Sequence, residues 1–207
     1  YTTLQIPKQG IGEWCHPLHT VDINDAGLRS SVQNGILNTE LGIPFRTPAE
    51  GHNVAFTSLW GNYPDSLEIP LKGKASRAYL LMAGSTNHMQ CHIDNGVIRI
   101  YYKDGTRDVM FLRNPDNWPP IEHIFFEDGL AFNRHTPALY RLRLKTGEIS
   151  NNFGEELGFP GASRELDGGA AVLLEMPLNP GKKLSHLVLE TLSNDVVIGL
   201  MSITLQR

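Results

Sequence analysis

The chain has 207 residues, among them 20 Gly and 13 Pro, and 22 acidic against 18 basic side chains give a formal charge of −4. An apolar share of 41% is too high for a disordered chain, and a charged share of 19% is too low for a coiled coil. The negative balance supplies no basic face for nucleic acid, and no apolar run approaches the ~18 residues of a membrane-spanning helix.

High Gly and Pro with few charges suit a chain that turns often, and short strand patterns run along its length. Thr20-Val21-Asp22-Ile23-Asn24 alternates before an Asp25-Ala26-Gly27 turn, and His52–Leu59 alternates loosely. Ser66–Leu71 puts Leu67, Ile69 and Leu71 on one face, with Pro70 marking an edge or strand end. Arg77–Ala83 is nearly all apolar, the pattern of a strand covered on both sides. Val97–Tyr102, the turn Lys103-Asp104-Gly105-Thr106 and the return strand Arg107–Leu112 predict a hairpin. Leu139–Lys145 alternates strictly, so its basic residues Arg141, Arg143 and Lys145 read as the wet face of a strand. Asn152–Leu166, broken by Gly154, Gly158, Pro160 and Gly161, reads as a long surface loop with one helical turn. Ala170–Leu178, Leu184–Leu192 and Val196–Gln206 complete the set, and Asp94-Asn95-Gly96, Lys145-Thr146-Gly147 and Ser193-Asn194-Asp195 read as turns. The expected fold is all-β, a jelly roll or β-sandwich of two antiparallel sheets with little helix. It forms one domain over 1–207, with an N-terminal extension over 1–17 and a long loop over 151–169.

Gly42-Ile43-Pro44-Phe45-Arg46 resembles the G-I-P-F strand of galactose-binding-like β-sandwich modules, and Val21-Asp22-Ile23 stands where those modules carry an earlier V-D-L strand. Tyr102-Lys103-Asp104-Gly105-Thr106 resembles their Y-x-D-G-T turn, and Asn117-Trp118 their N-x-x-D-W segment. More narrowly, Phe56–Asp65 and Ala83–Asn87 are similar to an uncharacterised type of such domain that accompanies bacterial glycoside hydrolases. The resemblance implies an ancillary carbohydrate-binding or supporting module, periplasmic or extracellular, beside a catalytic domain in a polysaccharide-degrading system. A stand-alone glycoside hydrolase or lyase, and a purely structural or interaction domain, are the alternatives.

Several residue groups could carry chemistry. Trp60, in Leu59-Trp60-Gly61-Asn62-Tyr63-Pro64-Asp65, and Trp118, in Arg113–Pro120, are loop tryptophans beside Asn and Asp, a pattern suited to stacking on the C–H face of a sugar. The same rings would equally plug the ends of a sandwich. The expected saccharide contacts are Trp60, Asn62, Tyr63, Asp65 and Trp118, with Arg113, Asn117 and His123 as polar partners. Glycosidase chemistry needs two carboxylates, for which Glu122 and Glu127 are the candidates, with Asp116 and Asp128 nearby. Asp22, Asn24 and Asp25 form a compact oxygen cluster that could hold a structural calcium or simply close an Asx turn. His88 and His92, four apart on a strand, would lie ~13 Å apart, too far for one metal. Cys15 and Cys91 make no disulfide framework, though they could form one bridge. No phosphate-binding Gly-rich loop, nucleophile elbow or Cys-x-x-Cys is present, so no cofactor is expected.

Overall fold

A computed structural model describes residues 22–59, 63–87, 89–124, 133–158 and 165–207. The elements in chain order are α1 (Ala26–Ser30), β1 (Val32–Gln33), β2 (Ile36–Asn38), β3 (Pro44–Arg46), β4 (Ala55–Ser58), β5 (Ser66–Pro70), β6 (Arg77–Met82) and β7 (Ser85–Thr86). They continue with β8 (Asp94–Tyr102), β9 (Arg107–Arg113), β10 (Arg141–Arg143), β11 (Ile149–Ser150), α2 (Phe153–Glu156), β12 (Ala170–Pro177), β13 (Leu184–Thr191) and β14 (Val196–Gln206). The fold is an all-β sandwich of antiparallel sheets, as the strand patterns predict.

One sheet runs β5-β13-β8-β9 and faces a larger one, β11-β10-β12-β6-β14-β4, to which β7 adds beside β14. Ile98, Ile100, Leu112, Leu187 and Leu189 of the first pack against Leu80, Met82, Leu174, Ile198 and Leu200 of the second. Successive side chains of a strand point to opposite faces, so Leu81, Leu173 and Val197 look the other way. There they meet Leu28 of α1, and Leu37 and Phe45 of a small third sheet, β1-β2-β3. The central strands of the large sheet are therefore covered on both sides, which is why Arg77–Ala83 reads as a continuous apolar run. Tyr102, at the end of β8, donates its hydroxyl to Asp108 and accepts the Asn179 N–H at 2.8 Å. Burial first, and then the Asp108 bond, push its phenol up to about 12.

Four local readings differ from the structure. Among the described residues 22–24 of the first predicted strand, Ile23 makes a single bridge to Gly168, followed by the helical turn α1. Asn24 Oδ1 accepts the Ala26 N–H at 3.0 Å, and a Cβ on Gly27 would run into the Lys145 backbone, so this glycine permits close packing of α1 on the large sheet. Asp94-Asn95-Gly96 is not a turn but the bulged start of β8, where a Cβ on Gly96 would meet Ile198 and, at 3.0 Å, the Glu190 carbonyl. Among the described residues of the loop after Asn152, α2 is the helical turn, but Phe153 and Leu166 are buried rather than on the surface.

The fourth difference concerns Arg141, which is buried rather than wet. Its guanidinium donates to the carbonyls of Pro120 (2.8 Å), Ile121 (3.2 Å) and Ala170 (3.1 Å), and also to that of His123. Strand alternation identifies a polar face but not the segment that later covers it; here residues 120–123 do so.

Candidate functional site

One end of the sandwich gathers most of the described residues singled out from the sequence. Pairings of Ser58 with Val197, Thr86 with Val196, Gly96 with Thr191 and Asp94 with Arg113 bring these strand ends together. The Thr191 N–H reaches the Asp65 carbonyl at 2.9 Å, which ties in the loop before β5. The described residues 59, 63–65, 87, 89–93, 114–124 and 192–195 thus lie at the same end. Trp60 and Asn62 lie outside the described residues, as do Glu127, Asp128, Cys15 and His88.

Each described candidate has a definite place. Tyr63 is half-buried, sets its ring edge-on to Phe56 at 5.7 Å, and has its phenol pushed up by burial. Asp65 accepts from the Ser66 hydroxyl at 3.2 Å and acts as a turn residue. Arg113 Nε donates to Asp94 at 2.6 Å while its guanidinium lies over Phe111, 5.6 Å from the ring centre. Asn117 Oδ1 accepts the Arg113 N–H at 2.7 Å and its Nδ2 donates to the Phe111 carbonyl at 2.8 Å, so this amide clamps the end of β9.

Trp118 departs from the expected sugar platform: it is 0% exposed and packs in the main core. The reason is Gly84, where a Cβ would lie 2.7 Å from the indole; the missing side chain opens the slot that the ring fills. Glu122 is also buried, beside the Arg141 guanidinium, whose pKa burial lowers to about 10 while Glu122 acts to raise it. His123 is half-buried on the same segment and pairs with Glu165 in an isolated backbone bridge; burial lowers its pKa, against the raising effect of Glu165 and with the repulsion from Arg141. In the oxygen cluster, Asn24 makes the Asx turn, and Asp25 Oδ2 accepts from Arg29 at 3.0 Å and Asn53 at 2.7 Å. Asp22 is exposed.

Around these residues lies a polar set that sequence reasoning left dispersed. Asn87 and Gln90 both donate to the Asp195 carboxylate at 3.5 Å, and Asn95 donates to the Gln90 carbonyl at 3.2 Å. Asn114 is fully buried, its Nδ2 donating to Cys91 Sγ at 3.4 Å. Among the described residues, the buried atoms Ser85 Oγ, Gln90 Oε1, Asn114 Oδ1 and Trp118 Nε1 make no hydrogen bond. His92 follows at φ 56°, its N–H donating to the Asn114 carbonyl at 2.7 Å. Asp116 stands in the turn after the cis Asn114–Pro115 peptide, and its Oδ1 accepts the His135 N–H at 2.7 Å. The only sequence signal for this set was the density of His, Asn and Asp in these loops; periodicity carries nothing about which loops meet.

Comparison with protein-family models, curated proteins and solved structures returns no match. The galactose-binding-like resemblance therefore rests on its motif residues alone.

Proposed function

We propose that this domain is a non-catalytic saccharide-binding module that uses the loop end of its sandwich and supports a neighbouring catalytic unit. The observation that supports this reading is the convergence of amides and carboxylates on that end, Asn87, Gln90, Asn114 and Asp195, with buried polar atoms of Gln90 and Asn114 left without partners. A polyhydroxylated ligand offers a donor and an acceptor at nearly every carbon, which suits such a mixed set. An anionic ligand would meet Asp94, Asp116 and Asp195, with Arg113 already bound to Asp94, so the ligand class is a neutral saccharide. Trp60, which the sequence suggests as an aromatic contact, lies between Leu59 and Tyr63 in the chain and outside the described residues.

The test is calorimetric titration with a panel of neutral oligosaccharides in the presence of a chelator, on the wild type and on Gln90→Ala, Asn87→Ala and Trp60→Ala. Saturable binding to at least one oligosaccharide, weakened by these substitutions in chains of unchanged melting temperature, is the expected result. Binding unaffected by all three, or no binding across the panel, refutes the reading.

A further inference from the structure

At the outer margin of this loop end, three side chains from three separated stretches of sequence converge. His92, Asp116 and His135 each offer a ligand atom, and these atoms lie within 4.8 Å of one another. His92 Nδ1 is 3.9 Å from Asp116 Oδ2, His135 Nδ1 is 3.6 Å from Asp116 Oδ1, and the two imidazole rings are 4.7 Å apart, centre to centre. These separations are longer than hydrogen bonds. Both ring nitrogens of His92 are shielded from solvent and make no hydrogen bond among the described residues. Desolvation without a partner is unfavourable for either tautomer of an imidazole, which always carries at least one nitrogen seeking a donor or a Lewis acid.

We propose that His92, Asp116 and His135 form a binding site for a divalent transition-metal ion, Zn2+ foremost. Tetrahedral zinc holds nitrogen and oxygen ligands at ~2.0–2.1 Å, which sets neighbouring ligand atoms about 3.3 Å apart. The observed spacings close to that value with side-chain movements of about 1 Å, well within rotamer adjustment of two imidazoles and a carboxylate. Two imidazoles with one carboxylate select a borderline ion over calcium or magnesium, which prefer all-oxygen shells. The supports are already in place. The His135 N–H bond to Oδ1 and the Thr136 hydroxyl bond to the Asp116 carbonyl at 2.7 Å join the two loop stretches that carry Asp116 and His135. The side chains of Asp116 and His92 are 13% and 30% exposed and that of His135 is 64% exposed, so the metal is approached from the His135 side. Three protein ligands leave a fourth position there for water or another oxygen donor. The site stands independently of the saccharide reading, because it rests on the geometry of His92, Asp116 and His135 alone.

The experiment uses the whole chain, stripped with a chelator and then titrated with Zn2+ by calorimetry, and with Co2+ as a spectroscopic probe, without any sugar. The expected result is one equivalent bound, visible absorption bands of a low-coordinate Co2+ site, no competition from Ca2+, and a metal-dependent rise in melting temperature. Asp116→Asn and His135→Ala each weaken binding by at least about tenfold. His135→Ala removes an exposed side chain, and the melting temperature of the metal-free variant checks that it still folds. Absence of binding to the wild type, or wild-type affinity retained in both His135→Ala and Asp116→Asn, overturns the proposal. The saccharide titration in chelator is unaffected by either outcome.

Discussion

Arg141 offers the sharpest test of how the loop end is held in place. Its guanidinium bonds four carbonyls, three of them on residues 120–123, the segment that follows Trp118 and carries Glu122 and His123. Replacing Arg141 with Ala leaves those carbonyls without their donor and removes the cation beside a buried carboxylate. Charged hydrogen bonds contribute about 1.5–3 kcal/mol each in mutational series, but burying the guanidinium offsets much of that gain. Loss of one partner from a buried charge pair typically costs about 3–5 kcal/mol, and that is the destabilisation expected for Arg141→Ala. For a chain of this size it lowers the melting temperature by about 6–20 °C. Arg141→Lys keeps the charge but cannot span four carbonyls, and it falls between wild type and Ala. Combining Arg141→Ala with Glu122→Gln costs less than the sum of the single changes, because the uncompensated carboxylate is gone. Urea denaturation monitored by tryptophan fluorescence supplies all four values. An Arg141→Ala variant within about 1 kcal/mol of wild type would refute the argument that this side chain anchors the segment.

Other consequences of the fold can be measured directly. Gly84→Ala sets a methyl group against the Val197 carbonyl and the Trp118 indole, and it lowers stability by about 1–3 kcal/mol in the same assay. Trp118→Ala removes a fully buried ring and lowers stability by about 3–5 kcal/mol; a near-neutral result would return the ring to the surface. Burial holds the folded-state pKa of His123 below 6.5, so the unfolded chain binds the proton more readily. That contribution to stability is fully present above the unfolded value and is lost as pH falls below it. Comparing urea midpoints at pH 7.5 and 5 for wild type and His123→Asn should therefore show a smaller drop in the variant. Asp104, bonded to Thr106 and Lys182 in the β8–β9 turn, has its carboxyl held down at about 2, so an NMR titration of its side chain should find a midpoint near that value rather than near 4.

Where one strand's own pattern decided the matter, the sequence was legible. The apolar run Arg77–Ala83 anticipated cover on both faces, and Asp104-Gly105 anticipated the hairpin, with Gly105 at φ 83°. Pro70 marked an edge strand, and β5 is at the edge of its sheet. Features that depend on segments remote in the chain were not legible. Arg141 looked solvated because the carbonyls that bind it belong to residues 120–123 and 170. Asn95-Gly96 looked like a turn because the close approach of Ile198 that calls for a glycine comes from β14. Trp118 carried two readings, and the slot beside Gly84 decided between them. His92 and Asp116 drew notice separately and His135 not at all, because loops carry no periodicity to bring such residues together.

The place of β14 has a consequence for the order in which the molecule can be assembled. Late in the chain, it lies between β6 and the edge strand β4 of the large sheet, an interior strand and not the rim. During synthesis, the hairpin of β8 and β9 can form as soon as both strands have emerged. The backbone edges of β6 and β4, however, stay open until residues 196–206 arrive to fill the gap. Such long-range closure slows folding and leaves apolar edges available to other chains in the meantime. Shortening the chain before Val196 would therefore remove the keystone of the sheet rather than trim a tail.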